Sequence, residues 1–398
     1  MMHVLHVNTL ADGGGAAIAA SRLSAALQAQ GVTSSLCVRR GHLPFLMERL
    51  RIFVANGCSR NGLWLVDIAN VGEDITRREE FRRADIVHLH WVNQGFLSLN
   101  SIGRILDSGK PVVWTLHDMW PVTAICHHAG RCSAYTRRCH DCPMLCNPAP
   151  DDLSARVFDR KRQIYTRGHI NFVGVSRWTA DKARQSALTQ GHDVHVIHNA
   201  LPVAELQPMP QAQARRELSL PEDAKVIVFG AARLDLPLKG LNRLFDAIRR
   251  TGLPRQKIHL LLFGGMKDDT LLSRVPCGYT YVGPVAGAQA LSRLYSAADI
   301  VASASSYETF GQTLAEAMAC GCVPVSFDSG GQSDIIHHLH DGYLAHAGNV
   351  DDLARGLKWA FGQQLDAAAQ RQSVLDRFGA DVVARQYIQL YQSCLDSR

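Results

Sequence analysis

The 398-residue sequence holds no run of about 18 consecutive apolar residues, the length a helix needs to cross a bilayer, so no membrane-spanning helix is expected. Its first ten residues, MMHVLHVNTL, lack the basic start and long apolar stretch of a secretory leader, and the chain reads as cytoplasmic. No helix-turn-helix pattern and no basic motif interleaved with aromatics accompanies its positive charge, which argues against nucleic acid as a partner. Short-period repeats and low-complexity tracts are missing too, which sets aside repeat arrays. What remains is an ordinary globular composition, 46% hydrophobic and 20% charged, at a length that predicts two domains.

The net charge of +6 is unevenly shared. Residues 1–200 carry 23 Lys and Arg against 16 Asp and Glu, a net of +7, and the remainder carries 19 against 20, a net of −1. The excess gathers in TRREEFRR (76–83) and YTRRC (135–139). A solvated surface is the plain reading of such runs; an anionic acceptor or a membrane surface is the functional one.

Apolar, β-rich runs alternate with helical spacing along the chain. HVLHVNT is followed by ADGGG and by AAIAASRLSAALQAQG, which repeats apolar residues at helical intervals and stops at Gly31. DIVHLHW, PVVWTLH, INFVGVS and HVIHN continue the series, and the polar, proline-containing segment 201–224 interrupts it as a linker. Alternation resumes with KVIVFGAA, IHLLLFGG, YTYVG, DIVASAS and VPVSF. The pattern predicts an α/β protein of two doubly wound domains, residues 1–200 and 201–375, with the helical end 376–398 folding back on the first. Ligands are expected beyond the carboxyl ends of the strands, in the crevice where the domains face each other.

The stretch SSYETFGQTLAEAMACGCVPVSF (305–327) places two glutamates eight positions apart. Glu308 follows a strand through a turn, and Thr309, Phe310 and Gly311 lead into a helix whose free N–H groups suit an anion. Glu316 lies about one turn inside that helix. Carboxylates so placed accept hydrogen bonds from vicinal hydroxyls, and the ligand implied carries phosphates between two sugars.

Glu308-x7-Glu316 with Phe310-Gly311, followed by ACGCVPV and DSGG (328–331), resembles the nucleotide-sugar site of retaining glycosyltransferases of family 4, which have the GT-B fold of two Rossmann-like domains facing across a cleft. The resemblance covers nearly the whole chain, best over 225–342 and poorest over 41–83. It implies that Arg233 and Lys239, in GAARLDLPLKG, bind the donor diphosphate and stabilise its charge as the glycosidic bond breaks. Gly13, Gly14 and Gly15 would let backbone approach the diphosphate or the acceptor, and Ser176, Thr309, Phe310, Gly311 and Glu316 would complete the donor site. His117, in TLHDMWP, would meet the transferred sugar, with Asp118 orienting the loop or meeting the acceptor. His117, Glu308, Arg233 and Lys239 are thus the catalytic set. The implied reaction moves a hexose from a UDP- or GDP-sugar to a saccharide or polyprenyl-diphosphate-linked acceptor, with retention, without a protein nucleophile and without a catalytic metal; Glu308 acts as a hydroxyl acceptor and not as a general base.

Five of the eleven cysteines fall in ICHHAGRCSAYTRRCHDCPMLC, directly after HDMWP. Cys126, Cys132, Cys139 and Cys142 have a spacing that can close a tetrahedral zinc site around a loop with little apolar content of its own. Reduced free thiols and disulfides are the alternatives, the latter disfavoured in a reducing cytosol, and His127, His128, His140 and Cys146 offer competing ligands. A similar loop after HDxW is familiar in the exopolysaccharide and colanic-acid subgroup of family 4, which points to polysaccharide assembly.

Softer readings complete the picture. Ser176 serves equally well as a helix N-cap, Ala200 stands after Asn199 where the family has Gly, and packing is the plainer role for at least one of His88 and His90. Segment 41–83, with Leu63, Trp64, Leu65 and nearby arginines, reads either as a packed surface helix or as a peripheral contact with the inner face of the membrane. A sugar-nucleotide epimerase of the same fold and a non-catalytic, decayed transferase are the rival functions.

Overall fold

The structure is a computed structural model that describes residues 2–60 and 62–397. The chain divides into two compact units, Met1–Ile197 with Ala384–Arg398, and His198–Val383. In the first, β1 (His3–Val7), β2 (Thr33–Cys37), β3 (Ile86–Leu89), β4 (Val112–Leu116), β5 (Ile170–Gly174) and β6 (Asp193–Val196) form a parallel sheet in the order β2-β1-β3-β4-β5-β6. Helices α1 (Gly15–Ala29), α2 (Leu43–Ala55), α3 (Glu79–Arg83), α4 (Leu99–Asp107), α5 (Leu153–Tyr165) and α6 (Arg177–Gln185) lie on the connections. The inner strands are buried on both faces, which is why VVWTL and INFVG read as unbroken apolar runs. Leu5, Val87, Trp114 and Phe172 belong to the resulting core.

The second unit carries β7 (Lys225–Arg233), β8 (Ile258–Gly265), β9 (Gly278–Tyr281), β10 (Ile300–Ser303), β11 (Val323–Asp328) and β12 (Tyr343–His346), again parallel, in the order β12-β11-β10-β7-β8-β9. Its helices are α7 (Gln211–Glu217), α8 (Leu241–Arg250), α9 (Ala288–Ala297), α10 (Gln312–Met318), α11 (Val350–Phe361) and α12 (Ala367–Phe378). Strand order reverses at β1 and β3 in the first unit and at β7 and β10 in the second. In a doubly wound sheet, loops diverge at such a point and leave a crevice at the carboxyl ends of the strands.

Two segments differ from the sequence expectation. Segment 201–224, read as a linker at the head of the second domain, is structured: it contains α7, where Arg215 pairs with Asp299 at 2.7 Å and donates to the Ala297 carbonyl at 3.1 Å. The helical end is broken at Gly379, so α12 stays in the second unit while α13 (Ala380–Asp396) is grouped with the first unit from Ala384 onward. There Tyr391 and Tyr387, both fully buried, bring their hydroxyls to His88 Nδ1 (2.7 Å) and Thr115 Oγ1 (2.8 Å). A buried phenol needs a partner for its hydroxyl, and these two find theirs on β3 and β4.

Candidate active site

Three expected residues, Arg233, Lys239 and Glu308, lie at the switch point of the second unit. Arg233 is the last residue of β7, and Lys239 follows in the 3-10 turn Pro237–Lys239 before α8. β10 is the neighbour of β7 in the sheet, so the loop after it brings Glu308 beside Lys239 although 69 residues separate them. Lys239 Nζ donates to Glu308 Oε1 at 2.6 Å, and the Ser305 hydroxyl donates to the same oxygen at 2.9 Å. Arg233 turns back on Asp235, Nε to Oδ1 at 3.0 Å and Nη2 to Oδ2 at 2.5 Å, which uses two of its five donors. Asp235, absent from the sequence reading, holds that guanidinium at the strand end.

Two glycine contacts explain how tightly these loops fit. Gly240, at φ 75°, precedes α8 so closely that a Cβ there would stand 1.9 Å from the Ala304 carbonyl oxygen. Gly330 leaves no room either: its Cβ would fall 2.0 Å from the Glu308 carbonyl oxygen, which also accepts the Gly331 N–H at 2.8 Å. The DSGG segment thus packs directly on the Glu308 turn. Phe310 is buried, and α10 begins at Gln312 with Gly311 as its N-cap at φ 105°. Glu316 is only 4% exposed and accepts a hydrogen bond from the Tyr295 hydroxyl at 3.1 Å, a deeper position than its place one turn into the helix suggested.

The first unit holds the other expected residues on the carboxyl side of its own switch point. Gly13 and Gly14 have φ of 76° and 83° and precede α1, with Gly15 its first residue. Ser176 is fully buried and caps α6, accepting the Thr179 N–H at 3.2 Å, so its hydroxyl is engaged in the helix start. His117 follows β4 and joins a row of imidazoles: His6 Nδ1 to His90 Nε2 at 2.9 Å, and His90 Nδ1 to His117 Nε2 at 3.0 Å. His88 stacks on His90 but bonds elsewhere, to Tyr391 and to Thr115.

Sequence reasoning missed His6, the inner end of that row. The signal was present, since β1 and β3 pair in parallel with His6 opposite His88, and HLH places His90 two residues further on the same side. Burial keeps the row neutral: it lowers His6 to about 3 and His117 to about 4, the latter against the pull of Asp118, and holds His88 and His90 well below the ordinary value. His6 Nε2 is buried without a hydrogen-bond partner. A lone pair left there costs less than an N–H, so His6 donates from Nδ1, His90 donates from Nδ1, and His117 receives at Nε2 and carries its proton on Nδ1.

Asp118 is satisfied by the loop that follows it. Its carboxylate accepts from Trp91 Nε1 (2.8 Å), the Trp120 N–H (2.8 Å) and His127 Nδ1 (2.7 Å), and His127 above all, with the Trp120 N–H, holds its pKa below the usual carboxylate value against the cost of burial. Cys126, Cys132, Cys139 and Cys142 line one small cavity within this loop and form no disulfide.

The comparisons with known proteins fit this architecture. Residues 13–205 match the model of Glycosyltransferase Family 4, and residues 210–373 that of Glycosyl transferases group 1. The uncharacterized glycosyltransferase MJ1607 of Methanocaldococcus jannaschii is 26% identical over 370 residues, spanning 86% of this chain and 93% of that protein. The putative colanic acid biosynthesis glycosyl transferase WcaC of Escherichia coli is 27% identical over 152 residues, or 34% of this chain and only 37% of that protein. Among solved structures, Anabaena HepE in complex with UDP and glucose superposes with a TM-score of 0.64 at 16% identity, over 99% of this chain and 100% of that one. With Glycosyltransferase Family 4 matched along the first half, Glycosyl transferases group 1 along the second, and the GT-B fold throughout, the chain has both domains of a GT-B glycosyltransferase.

Proposed function

We propose that the protein transfers a hexose from a UDP-sugar to a saccharide or lipid-linked saccharide, with retention at the anomeric carbon, in polysaccharide assembly. The observation that carries this reading is the Lys239–Glu308 pair at the carboxyl ends of β7 and β10, with Arg233 the last residue of that same β7. A diphosphate needs cations held in place before the charge develops, and a fixed ammonium with two further donors and a guanidinium with three supply them without a metal ion. Glu308 anchors the lysine and accepts from sugar hydroxyls, Glu316 accepts from the ribose, and the Gly13–Gly15 turn admits substrate to its backbone N–H groups. His117 meets the transferred sugar as a neutral imidazole in a set tautomer. The leaving diphosphate takes the acceptor proton, so positioning and charge stabilisation dominate over acid–base chemistry. HepE, solved with UDP and glucose, favours UDP as the base carrier, and the name of WcaC favours polysaccharide.

A thermal-shift screen against UDP-, GDP-, ADP- and dTDP-sugars without added metal tests the donor. At 100 times Kd a ligand stabilises by about 2.7 kcal/mol, an upward shift of roughly 5–10 °C for domains of this size. UDP-sugars are expected to give it and Arg233→Ala to weaken it; a response to GDP-sugars alone corrects the base, and no response to any of them removes the transferase reading.

A second surface supports work at a membrane. α2 is turned inside out: Glu48 and Arg49 are buried while Leu43, Leu46, Met47, Leu50 and Val54 are exposed, and Trp64 and Leu65 extend the apolar face. Arg49 is tied inward to Asp67 at 2.5 Å, and Glu48 accepts the N–H groups of Asn70 and Val71. Between residues 40 and 65 the exposed charges are Arg40, Arg51 and Arg60, with no exposed carboxylate among the described residues. Arg40 pairs with Glu80 at 3.6 Å, and an apolar face bordered by Arg51 and Arg60 fits an anionic lipid surface. In flotation with vesicles of phosphatidylcholine with and without phosphatidylglycerol, binding is expected only to the anionic set, and Leu46→Glu with Leu50→Glu is expected to lower it at least tenfold. Equal recovery from both vesicle types, or none, refutes the contact.

A further inference from the structure

The segment between β4 and α5 is 36 residues long and has no regular element besides two 3-10 turns, Trp120–Val122 and Ala134–Thr136. A connection of that length inside a compact unit needs something to hold it. Part of it packs on the core through Ile125, Tyr135 and Leu145. The rest closes around a cavity of about 20 Å³ that Cys126, Cys132, Cys139 and Cys142 line together with a largely apolar wall. None of the other seven cysteines reaches it.

Two of these sulfurs already face backbone donors. The N–H of Ala124 serves Cys139 and the N–H of Met144 serves Cys142, while the Thr123 hydroxyl holds the loop by donating to the Cys126 carbonyl at 2.6 Å. A neutral thiol is a weak acceptor; N–H groups directed at sulfur are the surroundings of a metal-bound thiolate, whose ligands are held by a second layer of hydrogen bonds.

An independent observation is Lys161, on α5. It is 0% exposed, its ammonium donates to the carbonyls of Trp120 (2.6 Å) and Thr123 (2.9 Å), and it lies 3.3 Å from the centre of the Trp120 ring. No carboxylate pairs with it among the described residues. Thr123, whose carbonyl it holds, lines the cavity together with the four cysteines. A buried cation without an anion is costly, and neutral thiols do not answer it.

We propose that Cys126, Cys132, Cys139 and Cys142 bind one zinc ion and that Lys161 is the buried counter-charge of the site. Zinc with four thiolates, formed by loss of four protons and no electrons, has a net charge of −2, which the ammonium halves. Tetrahedral Zn–S bonds of about 2.3 Å put the sulfurs about 3.8 Å apart. No three of the four sulfurs lie within 4.8 Å of one another in this structure, so binding requires the cysteine side chains to turn further into the cavity they line. His127 and His140 stay outside it, bonded to Asp118 (2.7 Å) and Asp141 (2.6 Å).

The test is metal analysis of the full chain, purified without added metal, with thiol counting alongside. One zinc per chain is expected, with four thiols that resist alkylation until a chelator is added. Cys139→Ser with Cys142→Ser is expected to lose the metal. Should that variant not fold, Lys161→Met decides, since it leaves the four ligands in place: it is expected to keep one zinc at saturation but to yield it to a competing chelator about 10–100-fold more readily. Zinc well below one per chain with freely reactive thiols overturns the site, as do disulfides among the four or iron in place of zinc. Unchanged zinc affinity in Lys161→Met overturns the counter-charge.

Discussion

Lys239→Ala is expected to lower kcat/KM for the nucleotide sugar by about 10²–10³, the cost of removing one preorganised donor from a site where charge develops. The ammonium is 27% exposed and the carboxylate opposite it 21%, so the substitution removes a cation from a part-dry site and leaves Glu308 with Ser305 alone. If the lysine acts mainly on the departing diphosphate, kcat and kcat/KM fall together; a rise in KM at constant kcat would mean that it binds donor and transition state equally. Lys239→Arg keeps the charge but not the compact geometry, and it is expected to recover part of the rate. A loss below about threefold in the alanine variant, measured with the donor found by thermal shift, removes Lys239 from the catalytic set. The same variant should fold normally, because part-exposed ion pairs contribute only about 1 kcal/mol or less to stability.

Stability should fall steeply between pH 6.5 and pH 4. His6 and His117 have folded pKa values of about 3 and about 4, and His88 and His90 are also well below 6.5, all through burial. The unfolded chain therefore binds more protons than the folded one below pH 6.5. The stability associated with neutral imidazoles is complete above that pH and is lost as pH falls toward the folded values. At pH 5 each of His6 and His117 costs about 2 kcal/mol relative to pH 7, a large share of a total of about 5–15 kcal/mol. Two groups oppose the trend: Asp118 raises His127, whose pairing persists as pH falls through 6.5, and burial beside Asp67 raises Glu48 to about 7, so the folded chain gains a proton there over the same range. Denaturant midpoints at pH 7.5, 6 and 5 check this. A flat profile, or one unchanged in His6→Leu, would refute the buried neutral row.

How much of this was open to inspection differs from element to element. DIVHLHW and PVVWTLH announced β3 and β4 because a strand covered on both faces must be apolar throughout. β2, TSSLC, announced nothing: it lies at a sheet edge, half exposed, and its pairing with β1 supplies what its composition does not. The linker reading of 201–224 rested on polarity and proline, and missed that Arg215 had Asp299 to bind, because that partner lies 84 residues away. The spacing of Glu308 and Glu316 named both residues without saying that one is at a turn on Lys239 and the other buried under Tyr295.

Local pattern alone therefore determined the element types and the doubly wound class, since these follow from periodicity and from which residues tolerate a turn, whereas Arg233 and Lys239 were implied by the resemblance to family 4 glycosyltransferases. Strand order is a matter of long-range pairing, and only the tertiary structure decided it. That order puts β10 beside β7 and so Glu308 on Lys239, and it puts β3 beside β1 and so His90 between His6 and His117. It also turned the polar residues of α2 inward and its leucines out, because the loop 67–71 offered buried N–H groups and a carboxylate that only a glutamate and an arginine satisfy. Hydrophobicity along a chain fixes what each segment prefers; which partners meet those preferences depends on contacts dozens of residues apart.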